Sequence, residues 1–273
     1  AVYFFASDSG HDLTITNSTF KGNIARNEGG GAVFARMYGG DVTVTGTEFL
    51  YNEAGNRGGG LAIFGYGEAG TGEVEITGST FTGNSSDSVG GGLYVLYGDV
   101  TLTSTVFSGN YSSRDGGAVA AAKVRSVTIV DSTFTDNVAQ TDHGGGLYVF
   151  TYEASLLIQN STFSGNSAEL DDGGAIFSRV FDMVIENSTL SGNTAGSEGG
   201  AIYHGGRLTI DQSTITGNEA SYVAGAVSQK PALGPQALGE VALTIENSTI
   251  VDNDATDFVG GVRMSGENYA VEI

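Results

Sequence analysis

One short pattern recurs nine times, alternating apolar and polar residues precede it, and a glycine pair follows it. Together these predict an all-β chain, a right-handed parallel β-helix (solenoid) of about nine coils forming one domain over residues 1–273. The pattern is F-x-x-N, with asparagines at Asn23, Asn52, Asn84, Asn110, Asn137, Asn166, Asn193, Asn218 and Asn253. They are spaced 29, 32, 26, 27, 29, 27, 25 and 35 residues apart. Three residues before each stands Phe20, Phe49, Phe81, Phe107, Phe134, Phe163, Leu190, Ile215 or Ile250, and two residues after each stands Ala or Ser. A functional site would occur once; a unit repeated at this period is a building block of a stacked array.

Each part of the unit has a physical role. In "DLTITNSTF", Leu13 and Ile15 alternate with Thr14 and Thr16, the period of a strand with one buried face. Val42 and Val44, Val74 and Ile76, Val127 and Ile129, and Leu208 and Ile210 occupy the same places. The asparagine follows at a bend, where its amide can bond the same amide one coil away and form an internal ladder. The glycine pair permits positive φ or close backbone approach. A second apolar run comes after it, as in "AVFA", "LYVL", "AIFS" and "AIYH". Two or three short strands per repeat are expected, with no helix. One repeat cannot bury its own apolar face, whereas coils stacked about 4.8 Å apart can, giving a rod of about 40 Å. The right hand follows from the prevalence of right-handed crossovers.

Composition sets limits on partners. The chain has 31 acidic and 11 basic residues, a net charge of −20, which argues against nucleic acid and anionic membranes. No cysteine is present, so no disulfide or thiolate metal site can form. No apolar run reaches membrane-spanning length, and no signal peptide opens the chain, so direct membrane insertion of this segment is not expected. The opening "AVYFFAS" and closing "ENYAVEI" read as incomplete coils. Two expectations follow: a segment of a longer protein, or a homo-oligomer stacked end to end into a filament.

Candidate chemistry gathers just before the glycine pair, at Asp115, Asp142, His143, Asp171, Asp172 and Glu198. A solvated acidic turn is the plain reading. Asp142, Asp171 and Asp172 are the residues to hold a calcium ion, which prefers oxygen ligands in irregular geometry. No other cofactor is implied. Acid/base catalysis on a polysaccharide would need such carboxylates on adjacent coils. His11, His143 and His204 lack zinc-motif spacing, and no nucleophile elbow or phosphate loop occurs, so no catalytic residue is assigned. Asn17, Asn84, Asn110, Asn160, Asn187 and Asn247 begin glycosylation sequons, yet Asn84 and Asn110 are ladder positions expected to face inward. Outward Thr-x-Thr pairs such as Thr43/Thr45 and Thr101/Thr103 give way to Glu73 and Glu75 and to Leu157 and Gln159, which breaks the regularity an ice-binding face requires. Insertions at 65–73 and 228–240 are candidate binding loops or neutral elaborations.

The pairing of F-x-x-N with G-G-A-I, in "FSGN…GGAIF" (163–177) and "LSGN…GGAIY" (190–203), resembles the repeat of the polymorphic outer-membrane protein family. It is also similar to generic bacterial right-handed β-helix repeats. The resemblance runs over nearly the whole chain and implies the surface-exposed passenger of an autotransported adhesin. The expected function is therefore a non-enzymatic structural or adhesin-like scaffold, extracellular or on a bacterial cell surface, meeting a glycan or cell-surface ligand. A filament or surface-layer subunit is a variant of that reading. A polysaccharide lyase or glycosidase is the competing class.

Overall fold

The computed structural model describes residues 1–8, 10–65, 72–231, 241–265 and 269–272. Most of both insertions, 66–71 and 232–240, lies outside the described residues. Most coils contain four strands rather than the two or three expected, and two coils contain three. A coil in mid-rod runs Leu147–Phe150, Ser155–Gln159, Thr162–Ser164 and Ser167–Ala168. The first two meet at a corner, and at Leu93–Thr103 and Val119–Val130 they form one bent strand. Those two long strands link the stacks into one 18-stranded sheet, while the third and fourth strands each stack into a nine-stranded sheet. Nine rungs make eight full turns from first to last. Coils pair in parallel and in register, as at Phe134↔Phe163 and Leu147↔Ile176.

Register turns sequence repetition into stacked columns of like side chains. Inside, Phe20, Phe49, Phe81, Phe107, Phe134 and Phe163 stack with centroid spacings of 5.2, 4.5, 4.7, 4.9 and 4.4 Å. Leu190, Ile215 and Ile250 continue the column in aliphatic form. Val, Leu and Ile of the first two strands fill the rest of the core, most of them fully buried.

The asparagines form the expected ladder. Asn137 Nδ2 donates to Asn166 Oδ1 at 2.9 Å and to the Phe107 carbonyl at 3.0 Å, and its backbone N–H donates to the same Asn166 Oδ1 at 3.1 Å. Its own Oδ1 accepts from the backbone and side chain of Asn110. A fully buried amide thereby keeps every hydrogen-bonding group occupied, the condition under which burying it is tolerable.

A second ladder is made of hydroxyls and was hidden in the Asn-Ser-Thr triplet. Ser132, Ser161 and Ser188 each donate a backbone N–H to the hydroxyl of the next coil at 3.1 Å. Each hydroxyl donates in turn to the carbonyl two residues back, as from Ser161 to Gln159 at 2.7 Å. The triplet's asparagine sits one place earlier in a left-handed turn. Asn17, Asn160, Asn187 and Asn247 have φ of 46, 50, 48 and 49° and are exposed. Asparagine tolerates that region better than most residues. Asn84 and Asn110 point inward and are buried, as expected.

The two glycines of each pair do different work. Gly144 has φ +71° and turns the chain. Gly145 has an ordinary φ, but a Cβ there would strike the backbone of Gly174 and Ser167 in the next coil. One coil carries Ala224 in the turning place, held at φ 58°.

Two substitutions test the stack. Asn137→Ala strands the Asn110 amide and the Phe107 carbonyl in the core and should cost about 3 kcal/mol, read by urea denaturation. Gly145→Ala should cost about 3 kcal/mol or more through the clash with the next coil. Gly192→Ala, at φ +62° with no atom within 4 Å, should cost only about 1 kcal/mol.

Candidate functional site: a carboxylate column beside an aromatic stack

The turn before each glycine pair is held by the same inter-coil bonds as the sheets. Gly116, Gly144 and Gly173 donate to the carbonyls of His143, Asp172 and Glu198 at 2.9, 3.1 and 2.9 Å. Asp115, His143, Asp172 and Glu198 therefore rise in one line on four successive coils. Arg114, Asp142 and Asp171 stand one position earlier in their turns.

This offset decides the pairing. Asp142 is drawn to Arg114, Nε to Oδ2 2.8 Å, away from the other two aspartates chosen for calcium. Asp171 and Asp172 instead lie with His143, their ligand atoms all within 4.8 Å of one another. His143 Nδ1 is 3.6 Å from both Asp115 Oδ1 and Asp171 Oδ2. Glu198 ends the line, held by Lys230 at 2.6 Å, the Ser228 hydroxyl at 2.7 Å and Arg263 at 3.5 Å.

Environment divides these acids. Burial pushes the Asp115 carboxyl up, against the opposing pull of His143. Burial likewise pushes Asp172 up, against a backbone hydrogen bond from Glu198. Burial also works on Glu198, but there Lys230 and Ser228 outweigh it and leave the group below the usual carboxylate range. The column thus presents two acids that hold their protons more tightly than usual and one that is firmly ionised.

Beside it runs an aromatic stack on the outer face of the first strands. Tyr148, Phe177 and Tyr203 stack at 5.3 and 5.0 Å, and His143 meets Phe177 edge-on at 4.1 Å. Arg179 lies 5.7 Å from the centroids of both Phe177 and Tyr203, and Lys230 lies 5.8 Å from Tyr203. These residues were not among the candidates read from the sequence, although it carries their signal. In "AIFS" and "AIYH" the inward isoleucine forces the following aromatic outward, but an aromatic among apolar residues reads as core. The rings stack on one another, so Phe177 and Tyr203 are buried, while Tyr148 and the flanking cationic heads of Arg179 and Lys230 are partly exposed.

The remaining histidines lie elsewhere. His11 pairs with Asp8 at 2.9 Å. His204 is wholly buried in a polar column with Ser178 and Gln229 inside the core. Its Nε2 lies 2.9 Å from the Arg207 carbonyl and its Nδ1 3.3 Å from the Ser178 hydroxyl. Burial lowers its pKa to about 4.

Parallel coils in register, polar ladders within and a charged turn column at one edge define a parallel β-solenoid scaffold. The family model described as "Right handed beta helix region" matches residues 61–250, more than half of the chain. The chain belongs to that family, which also supplies the hand of the helix. No curated protein and no solved structure gives a match.

His204 makes stability depend on pH. Its unfolded pKa near 6.5 exceeds the folded value of about 4, so the unfolded chain binds the extra proton between them. This contribution falls as pH drops from 6.5, with about 3 kcal/mol lost below pH 4. Asp115 and Asp172, raised in the fold, act in the opposite direction. The test is therefore the difference between the parent chain and His204→Gln, which should narrow as pH falls from 7 to 4 in urea titrations.

Proposed function

We propose that this β-helix is a non-catalytic scaffold of the adhesin type, acting outside the cell or on a bacterial surface and contacting an anionic glycan. One observation carries the reading. Inward polar residues among those described serve mainly the two ladders and the Ser178–His204–Gln229 column, whereas charged and aromatic residues gather along one edge, from Arg114 through Phe177 to Arg263. Regular scaffolds place binding variation on one such face. In a chain of net charge −20, Arg179, Lys230 and Arg263 gather there within four successive coils. They point to a ligand carrying carboxylate or sulfate groups. The F-x-x-N and G-G-A-I likeness to polymorphic outer-membrane repeats, and the acidity of the chain, support a surface location.

A second reading is favoured by Asp115 and Asp172. Burial raises both, as a general acid requires of one of them while the other ionises to act as base, and they stand two coils, about 10 Å, apart, close to the separation that inverting glycosidases use. One experiment separates the two readings. Immobilised acidic polysaccharides are presented to the parent chain and to an Arg179→Ala, Lys230→Ala double variant, and soluble products are assayed. Retention without new reducing ends, weakened about tenfold in the variant, is the expected outcome. Release of reducing ends, abolished by Asp115→Asn or Asp172→Asn, would establish the glycosidase instead.

A further inference from the structure

We infer that His143, Asp171 and Asp172 form a site for a divalent transition cation of the zinc class, completed from below by Asp115. The donor set is mixed: one imidazole nitrogen and carboxylate oxygens within 4.8 Å of one another. The nitrogen is the telling atom. His143 Nδ1 is shielded from solvent and has no hydrogen-bond partner among the described residues, although two carboxylate oxygens stand 3.6 Å away. A buried polar atom with nothing to bond needs an explanation, and an unplaced ion is one. The ring is also held in place. Its edge packs on Phe177 at 4.1 Å, while its own backbone N–H donates to Asp115 Oδ1 at 3.3 Å.

Among the described residues these carboxylates have no Lys or Arg of their own within ion-pair distance. Arg114 is taken by Asp142, and Lys230 and Arg263 by Glu198. Between those pairs, Asp115, Asp171 and Asp172 share a single imidazole. Asp172 Oδ1 accepts the Glu198 backbone N–H at 3.0 Å, which orients the carboxylate as an outer-shell bond orients a ligand. An all-oxygen set would suit calcium, but a nitrogen donor beside carboxylates suits zinc and its neighbours. A small rotation of Asp171, which is partly exposed, would bring its oxygen to coordination distance. The inference goes beyond the glycan reading, since cation binding and glycan retention are measured separately.

The test is calorimetric titration of the full chain with zinc and, separately, with calcium near neutral pH. Binding of one zinc per chain, tighter than calcium, is expected. Asp171→Asn and His143→Gln should each weaken it at least about tenfold, and Asp142→Asn should leave it unchanged. Circular dichroism verifies that each variant remains folded. Absence of zinc binding to the parent chain overturns the inference. So does undiminished zinc affinity in folded Asp171→Asn and His143→Gln, or calcium binding as tight as zinc.

Discussion

Everything in this molecule depends on one coil lying on the next in strict register at the strand spacing. Most strand hydrogen bonds run between coils, so a coil has little backbone satisfaction alone and nearly all of it in the stack. The two ladders extend the same bonding to side chains. Asparagine suits its place because one amide supplies two donors and a two-fold acceptor, which the coil above, the coil below and the Phe carbonyl consume. An aspartate there would lose the donors, and a leucine would leave backbone groups unpaired. The second glycine of each pair meets the opposite demand, the absence of any side chain where backbones nearly touch.

Register that favours stacked phenylalanines penalises stacked charges. Like groups placed directly above one another across a parallel sheet repel. The turn column meets this constraint with alternation and offset. Arg114 faces Asp142, His143 separates Asp115 from Asp172, and Lys230 and Arg263 flank Glu198. Burial raises the pKa of Asp115 and of Asp172 above the usual carboxylate value. The chemical character of this edge, two half-buried carboxyls beside an imidazole and a row of cationic heads, follows from a scaffold that forces unlike residues into contact.

Rigidity is the other consequence. A rod whose ladder amides and hydroxyls are engaged from coil to coil presents its surface without rearrangement, which lowers the ordering cost of binding a long ligand. The aromatic stack shares this order. Tyr148, Phe177 and Tyr203 lock together along the rod axis and carry Arg179 and Lys230 on their flanks. The outward face is thus assembled by the same repetition as the core.

The fold was legible because repetition is a property of sequence alone. The steps between asparagines, the Leu13/Ile15 alternation and the glycine pair by themselves determined coils, core columns and the amide ladder. Four strands in most coils rather than two or three were less visible, since segments as short as Ser167–Ala168 have no period to detect. The hydroxyl ladder was masked by a glycosylation motif of the same letters. The site was half legible. That acids gather before the glycine pair is written in the sequence, but the turn from Asn110 to Gly116 is one residue shorter than that from Asn137 to Gly144, so only the inter-coil bonds decide that Arg114 takes Asp142 and that His143 joins Asp171 and Asp172. Periodicity determines which face a residue takes. Contact between coils, set by backbone register across some 27 residues of chain, belongs to the tertiary structure, because a shift of one residue exchanges a partner without changing the pattern.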